Sequence, residues 1–346
     1  MVRRPFLLAS ALSIVVFGAT LPTLSAGAAT TYRIAVMLPS TLSNNLPLVR
    51  LHFSSPTKAT RLPPLMTKPL IATKWEQISP NDVQAVATVD LSPSTNYTIS
   101  APTRMSCSPS CAFTTLRPRV ASVATNLTWE AQLLAQLNYL PLTFTPGTTQ
   151  SAPSDEVNGT FTWAYPNLPA TLSSQWTLGS DNVILRGALD TFQSQNNLTV
   201  TGEADATTWS DLVNAVNNNR VDPVSYNYVD VTETVPETLT LYVAGKVNFK
   251  SLVNTGIEPV PTELGTYPVY ERFFSTTMSG TNPNGTKYVD PDIPWVSYFN
   301  GGDALHGFIR SSYGFPQSLG CVEMPFASAK TVFPYTPIGT LVTVRA

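Results

Sequence analysis

Charge is scarce in this chain. Only 12% of its 346 residues are Asp, Glu, Lys or Arg, and 20 basic against 22 acidic side chains leave a formal net charge of −2. No basic tract exists, which excludes the phosphate-neutralising surface that nucleic-acid binding needs. Histidine and cysteine are scarcer still, with two and three copies. A zinc centre needs about four ligands, and Cys107 and Cys111 have only His52 as a further candidate, so neither a metal nor a cofactor is expected. Past the N-terminus no apolar run has the length of a bilayer span. What is plentiful is proline, with 30 copies, and hydrophobic residues, at 43%. That much apolar sequence builds several cores, and the length suits two or three domains. Proline with abundant Thr, Ser and Val reads as strands and turns rather than helical bundles.

The first residues have the pattern of an export signal. Arg3 and Arg4 precede an apolar run to about Leu24, and Ala26-Gly27-Ala28 suits cleavage. A signal peptide over 1–28 is expected, with retention as an anchor as the alternative. The membrane is then touched only through this segment, and the protein is expected in the cell envelope. Export also sets the redox reading. Cys107 and Cys111 flank Ser-Pro-Ser, a spacing that a turn closes into a small disulfide in an oxidising compartment. Cys321 is left as the odd thiol.

Three regions follow. Residues 29–118 alternate apolar and polar side chains, as at Val49, Leu51 and Phe53 or Val83, Ala85 and Ala87. Period two marks half-buried strands, and a small immunoglobulin-like β-sandwich acting as a spacer is expected. His52 falls on the polar face of its strand. Residues 119–222 carry three helical stripes: Leu127 to Leu137, Asn182 to Gln195 and Thr207 to Val216. An insertion, 145–178, separates the first from the second and carries Trp163, Tyr165 and Trp176. From 223 onward strands return, with a hairpin tip at Ala244-Gly245-Lys246 and a short helix after Pro325. The Asp290-Pro291-Asp292 segment reads as a loop.

The chemistry concentrates in His306–Met324, HGFIRSSYGFPQSLGCVEM. His306 and Cys321 lie fifteen positions apart, each beside a glycine. A thiol attacks as thiolate, so a catalytic cysteine needs a base or a positive field, and an imidazole supplies the base. Glycines let backbone N–H groups approach a carbonyl oxygen. The set is a candidate acyl-transfer site.

Two resemblances rest on these residues. HG, a gap, then SLGC with an apolar residue following resembles the signature of L,D-transpeptidases with the YkuD-type catalytic domain. VNTGI at 253–257, PTELGTYPVY at 261–270, TMSG at 277–280 and IPWVSYFNGGDALHGF at 293–308 extend the likeness over about 225–346. Residues 187–212, GALDTFQSQNNLTVTGEADATTWSDL, resemble the small three-helix peptidoglycan-binding domain through Phe192, Gln193, Leu198, Val200, Gly202, Asp205, Thr208 and Trp209. The fold expected is therefore multidomain and mainly β, ending in a β-sandwich L,D-transpeptidase catalytic domain over 223–346.

The transpeptidase resemblance implies roles. Cys321 is the nucleophile and His306 its base. The Ser318-Leu319-Gly320 turn, with backbone N–H groups of Leu319, Gly320 and Cys321, forms the oxyanion hole. Gly307 packs beside His306, and either its carbonyl or Asp303 orients the ring. Apart from the resemblance, Tyr288, Trp295, Tyr298 and Phe299 read as rings that line or roof the cleft, with core packing as the alternative for each. Two departures from the family stand out. Leu319 replaces a histidine common in the family, and Glu323 replaces an Arg or Asn, which makes a cation-accepting contact the expectation there, with a solvent-facing carboxylate at a helix start as the alternative. The implied partners are peptidoglycan stem peptides and glycan. The implied activity is wall cross-linking from a tetrapeptide donor, with L,D-carboxypeptidase action or a degenerate, wall-binding structural role as alternatives.

Overall fold

The structure is a computed structural model. It describes residues 13–14, 30–39, 41–42, 46–89, 91–107, 111–115, 119–150 and 152–346. The expected export signal over 1–28 lies outside them apart from Ser13–Ile14. Two compact units divide the chain, 1–125 and 126–346. The fold is mainly β, with five α-helices among the described residues.

In the first unit, period-two alternation is realised as two sheets. One is ordered Cys111–Thr115, Pro102–Cys107, Thr30–Leu38, Val49–Phe53, Asp82–Ala87, Thr73–Gln77, with Ser13–Ile14 pairing against Thr30–Leu38. The other is ordered Thr41–Leu42, Arg119–Val123, Asn96–Ser100, Met66–Lys68. Leu48, Val49, Leu51, Phe53, Val83 and Ile99 from both sheets share one core. Removing such aliphatic and aromatic surface from water is what holds sheets face to face. His52 is exposed, with Nδ1 2.7 Å from Asp82 Oδ1. The hairpin register sets Cys107 opposite Cys111, but the side chains of the expected disulfide lie outside the described residues.

The second unit begins with helices whose starts are written in the sequence. α1 (Leu127–Gln136) is capped by Asn126, whose Oδ1 accepts from the Trp129 N–H at 3.0 Å. α2 is the single turn Ala170–Ser173. α3 (Val183–Gln195) is capped by Asn182 and α4 (Ala206–Asn217) by Asp205, which accepts from the Thr208 N–H at 2.8 Å. Each cap satisfies a helix N–H that has no partner inside the helix. The insertion contributes a hairpin, β1 (Leu142–Pro146) with β2 (Gly159–Trp163). Its Trp163, Tyr165 and Trp176 pack on the helical core.

The rest of the unit is two mixed sheets. β3 (Asn227–Thr232), β4 (Thr238–Val243), β5 (Lys246–Leu252), β6 (Gly265–Pro268) and, at the chain's end, β11 (Leu341–Arg345) form the first, in the order β5-β4-β3-β11-β6 with β3 and β11 parallel. β7 (Glu271–Thr281), β8 (Lys287–Asn300), β9 (Asp303–Gly307) and β10 (Val322–Met324) form the second in sequence order, with β9 and β10 parallel. Val229, Val231, Leu239 and Leu241 of one sheet meet Phe299, Leu305, Val322 and Met324 of the other, and α5 (Phe326–Val332) adds Ala329 and Val332. Ala244 and Gly245 turn the β4–β5 hairpin with φ of 47° and 71°. Asp290 and Asp292, expected in a loop, lie instead within the long strand β8. Pairing with β7 continues on both sides of the segment, and a register shift between Thr276 and Met278 accommodates Asp292 at a φ of 57° beside Pro291.

Helices and sheet share a core. Tyr228 and Leu341, from adjacent strands, belong to the same buried cluster as Trp129, Phe192 and Trp209. Gly187 of α3 is the close point: a Cβ there would stand 2.7 Å from both the Gly339 carbonyl oxygen and Leu341 Cδ2. Alanine at a mid-helix glycine ordinarily stabilises. Here Gly187→Ala is expected to lower stability by about 1–3 kcal/mol through overpacking. Chemical denaturation of wild type and variant checks the sign.

Candidate active site

The site is assembled on the parallel pair β9–β10. Its register sets His306 opposite Glu323, Leu305 opposite Val322 and Gly307 opposite Met324. Cys321 immediately precedes β10, two residues before Glu323. Period two therefore puts its side chain on the face shared by His306 and Glu323. With about 3.3 Å of rise per residue and about 4.8 Å between strands, the Cα atoms of His306 and Cys321 are separated by roughly 8 Å. Both side chains line one cleft of about 370 Å³, with Tyr288, Asp290, Arg310 and Ser318 among its other walls.

The connection from His306 to Cys321 is pinned to the segment after β5. Gln317 and Ser318 N–H groups both donate to the Thr255 carbonyl at 2.9 Å, and Ile257 N–H donates to the Ser318 carbonyl at 3.0 Å. Asn254 Oδ1 accepts from Gly314 N–H at 3.1 Å. Thr255 is itself gripped by Glu237, which accepts from its N–H at 2.7 Å and its hydroxyl at 2.8 Å. Glu237 is fully buried. Burial raises its pKa, opposed by the two Thr255 hydrogen bonds. Ser318 Oγ donates to the Cys321 carbonyl at 2.5 Å, closing the turn. Gly320 turns with φ +105°, and a Cβ there would collide with Asp303 Oδ1. The SLGC turn thus requires glycine twice over, for conformation and for space.

His306 is 3% exposed. Its Nδ1 lies 3.1 Å from the Gly307 carbonyl oxygen. A carbonyl only accepts, so Nδ1 carries the hydrogen and Nε2 carries the free lone pair. Burial lowers the imidazole pKa, partly opposed by that hydrogen bond and by the Glu323 charge. The Cys321 thiol faces the Gly302 carbonyl oxygen at 3.7 Å. Burial pushes it up to about 12, opposed by a hydrogen bond from Ala304 and reinforced by Asp303 and Glu323. The resting pair is therefore a neutral thiol and a neutral imidazole. In a low-dielectric site the separated ion pair forms only when a reacting group takes up the negative charge. Asp303 has its own pKa raised to about 6 by burial. Its Oδ2 accepts from the Glu263 N–H at 3.3 Å, and the ring of His306 is held by Gly307 instead.

The expected substrate contacts are placed as follows. Glu323 lines the cleft but is 4% exposed and lies in β10, so it does not face solvent at a helix start. Its carboxylate accepts from Arg310 Nε at 2.7 Å and Nη2 at 2.8 Å. Trp295 packs edge-on against Phe326 of α5 at 5.8 Å and Phe299 is buried in the intersheet core, because β8 turns these rings inward. Tyr298 packs with Cys321 around Ile293, Val296 and Ala304, its ring tilted against Tyr270, and does not line the cleft. Gly307 abuts Phe326 and Pro294, so its role is close packing and its carbonyl, not substrate contact. Tyr288 lines the cleft, as do Ser318 and Leu319.

Sequence reasoning missed Arg310 and misplaced Asp290, both of which line the cleft. A signal for Arg310 existed: it is the one basic residue between Lys287 and Lys330, inside the His-to-Cys segment.

Residues 226–344 match the YkuD family, the L,D-transpeptidase catalytic domain. The match spans about a third of the chain. Among solved structures, the catalytic domain of the E. faecium L,D-transpeptidase is 25% identical, covering 36% of this chain and all of that one, with a TM-score of 0.32. An L,D-transpeptidase from Mycobacterium smegmatis is 11% identical over 91% of this chain and 99% of that one, with a TM-score of 0.32. L,D-transpeptidase 3 from Mycobacterium tuberculosis, solved with a faropenem-derived adduct, is 12% identical over 89% and 93%, again with a TM-score of 0.32. No curated protein matches by sequence.

The neutral state of Cys321 has a direct kinetic consequence. Alkylation proceeds through thiolate, and a pKa of about 12 rather than the ordinary 9.0 leaves roughly a thousandfold less of it at pH 8. Iodoacetamide labelling of the folded protein is expected to be slow at pH 8 and to climb without a plateau to pH 10. A plateau already reached by pH 7 would show a resting thiolate.

Proposed function

We propose that this protein is an exported cysteine L,D-transpeptidase that cross-links peptidoglycan. The observation that carries the reading is the meeting of Cys321 and His306 in one cleft inside the matched catalytic segment. The donor is a tetrapeptide stem. As Cys321 Sγ bonds to the carbonyl carbon on the L-centre of its diamino acid, the thiol proton passes to His306 Nε2. The carbonyl oxygen becomes an oxyanion, met by the N–H groups of Leu319, Gly320 and Cys321. Collapse breaks the bond to the terminal D-alanine, whose amine nitrogen takes the proton from the imidazolium. A thioester remains. An amine on a second stem then attacks it, gives its proton to Nε2, and the thiol is restored as the cross-link forms. Water in place of the amine makes the same site an L,D-carboxypeptidase. Leu319 offers no side-chain donor, so the oxyanion depends on backbone alone.

The other regions fit a wall enzyme. The first unit is proposed as an immunoglobulin-like spacer with a Cys107–Cys111 disulfide, following an export signal over 1–28. The helical region is proposed as a peptidoglycan-binding module. A groove of about 540 Å³ on it, where Asn196, Ser210, Asp211, Asn214 and Arg220 stand beside Leu198 and Ala206, suits the polar groups and apolar faces of glycan. Arg220 spans it, with Nη2 2.7 Å from Asp211.

Two experiments test these statements. Intact-mass analysis after incubation with a carbapenem is expected to show one covalent adduct on wild type and none on Cys321→Ala. Incubation with tetrapeptide stems should then release D-alanine and yield dimers. Adducts absent from both proteins, with no release, contradict the enzymatic reading and leave a wall-binding protein. Cosedimentation with purified sacculi is expected to fall in Asn214→Ala/Arg220→Ala while carbapenem acylation persists. Undiminished binding would remove the groove from the account.

A further inference from the structure

The Glu323 carboxylate is enclosed, and what it encloses is a reading head. Arg310 Nε–H donates to Glu323 Oε2 at 2.7 Å, and Nη2 donates to Oε1 at 2.8 Å and to the Gln317 carbonyl at 3.2 Å. One edge of the guanidinium is thereby fixed in a planar, bidentate geometry. One face is covered by Phe308, whose ring centre lies 4.7 Å from Cζ. Phe308 in turn meets the His306 ring edge-to-face at 6.0 Å. Base, aromatic spacer and guanidinium form one continuous row of contacts along the wall of the cleft. The donors left over are the two hydrogens of Nη1, on the edge away from Glu323. Arg310 lines the cleft beside His306 and Cys321.

We propose that Arg310 determines donor specificity by hydrogen-bonding, through Nη1, a carbonyl or carboxylate oxygen of the bound stem, with Glu323 as its positioning residue. This rests on the transpeptidase reading and deepens it. The guanidinium touches substrate; Glu323, being buried, acts only through it. The pairing also fixes the electrostatic character of the contact. Arg310 and Glu323 cancel, and Asp290 is the remaining charged side chain among the residues lining the cleft. Recognition here works by short-range hydrogen bonding rather than by a net positive field. The donor KM is therefore expected to change less than about twofold between 50 and 500 mM salt.

The test uses the full chain with tetrapeptide stems and follows D-alanine release. Removing Arg310 alone strands a buried carboxylate, so Arg310→Met/Glu323→Leu replaces both partners by apolar groups and is expected to fold. Its thermal melt and its Cys321 alkylation rate report an intact site. The donor KM is expected to rise at least about tenfold while kcat stays within about threefold. Arg310→Lys keeps the charge for Glu323 but loses the fork, and is expected to raise KM as well; it serves if the double variant does not fold. Glu323→Gln, which frees the guanidinium, is expected to give an intermediate KM. A stem lacking the free carboxylate of its diamino acid separates the two oxygen sources. A raised wild-type KM on that stem assigns the carboxylate, and an unchanged one assigns a peptide carbonyl. A KM within about twofold of wild type in folded variants, or a loss falling on kcat alone, overturns the proposal. No D-alanine release from wild type itself takes down the transpeptidase reading, and this one with it.

Discussion

One short parallel pairing, β9 against β10, is the constraint on which the site depends. Its three residue pairs bring Cys321 and His306 onto one face although the chain makes a long excursion between them. Parallel neighbours cannot be joined by a tight turn. The excursion is therefore obligatory, and it must be held. Thr255, gripped by Glu237, receives two consecutive N–H groups from residues 317 and 318, and the Ser318 hydroxyl closes the last turn onto the Cys321 carbonyl. A fully buried carboxylate is costly unless hydrogen-bonded, and Glu237 meets that cost by holding the strand that holds the loop. The nucleophile proposed here is thus positioned by polar contacts made well away from it.

Electrostatics within the cleft follow from the same enclosure. Burial keeps the thiol protonated and the imidazole neutral. The buried Glu323 carboxylate is paired with Arg310 by two short hydrogen bonds. A neutral pair at rest suits an enzyme whose reaction begins with charge separation, since the oxyanion and the imidazolium then arise together. It also protects the thiol from adventitious alkylation or oxidation, which proceed through thiolate.

Much of this was legible in the sequence where the signal is local. Strand alternation, helical stripes, and the HG and SLGC turns depend on residues close in the chain, and the strands, helices and site turn appear where those signals fall. What was not legible depends on partners distant in the chain or hidden in the fold. Glu323 reads as a free carboxylate until Arg310, thirteen positions earlier, is seen to clamp it. Trp295 and Phe299 read as cleft aromatics, but the fold spends them on the core. Asp290 reads as a loop residue beside proline, yet a paired strand overrides that preference. Tyr228 and Leu341 alternate like ordinary sheet residues and give no hint that they complete a helical core.

The central claim is that His306 rests as a neutral imidazole with its hydrogen on Nδ1 and a free lone pair on Nε2, facing a neutral thiol. Nitrogen-15 NMR of selectively labelled histidine, assigned with His306→Ala and followed from pH 5 to 9, measures this directly. The account predicts the Nδ1-protonated tautomer throughout neutral pH, with imidazolium appearing only below the ordinary histidine pKa. An Nε2-protonated ring, or an imidazolium persisting at pH 8 in the unliganded protein, would contradict it.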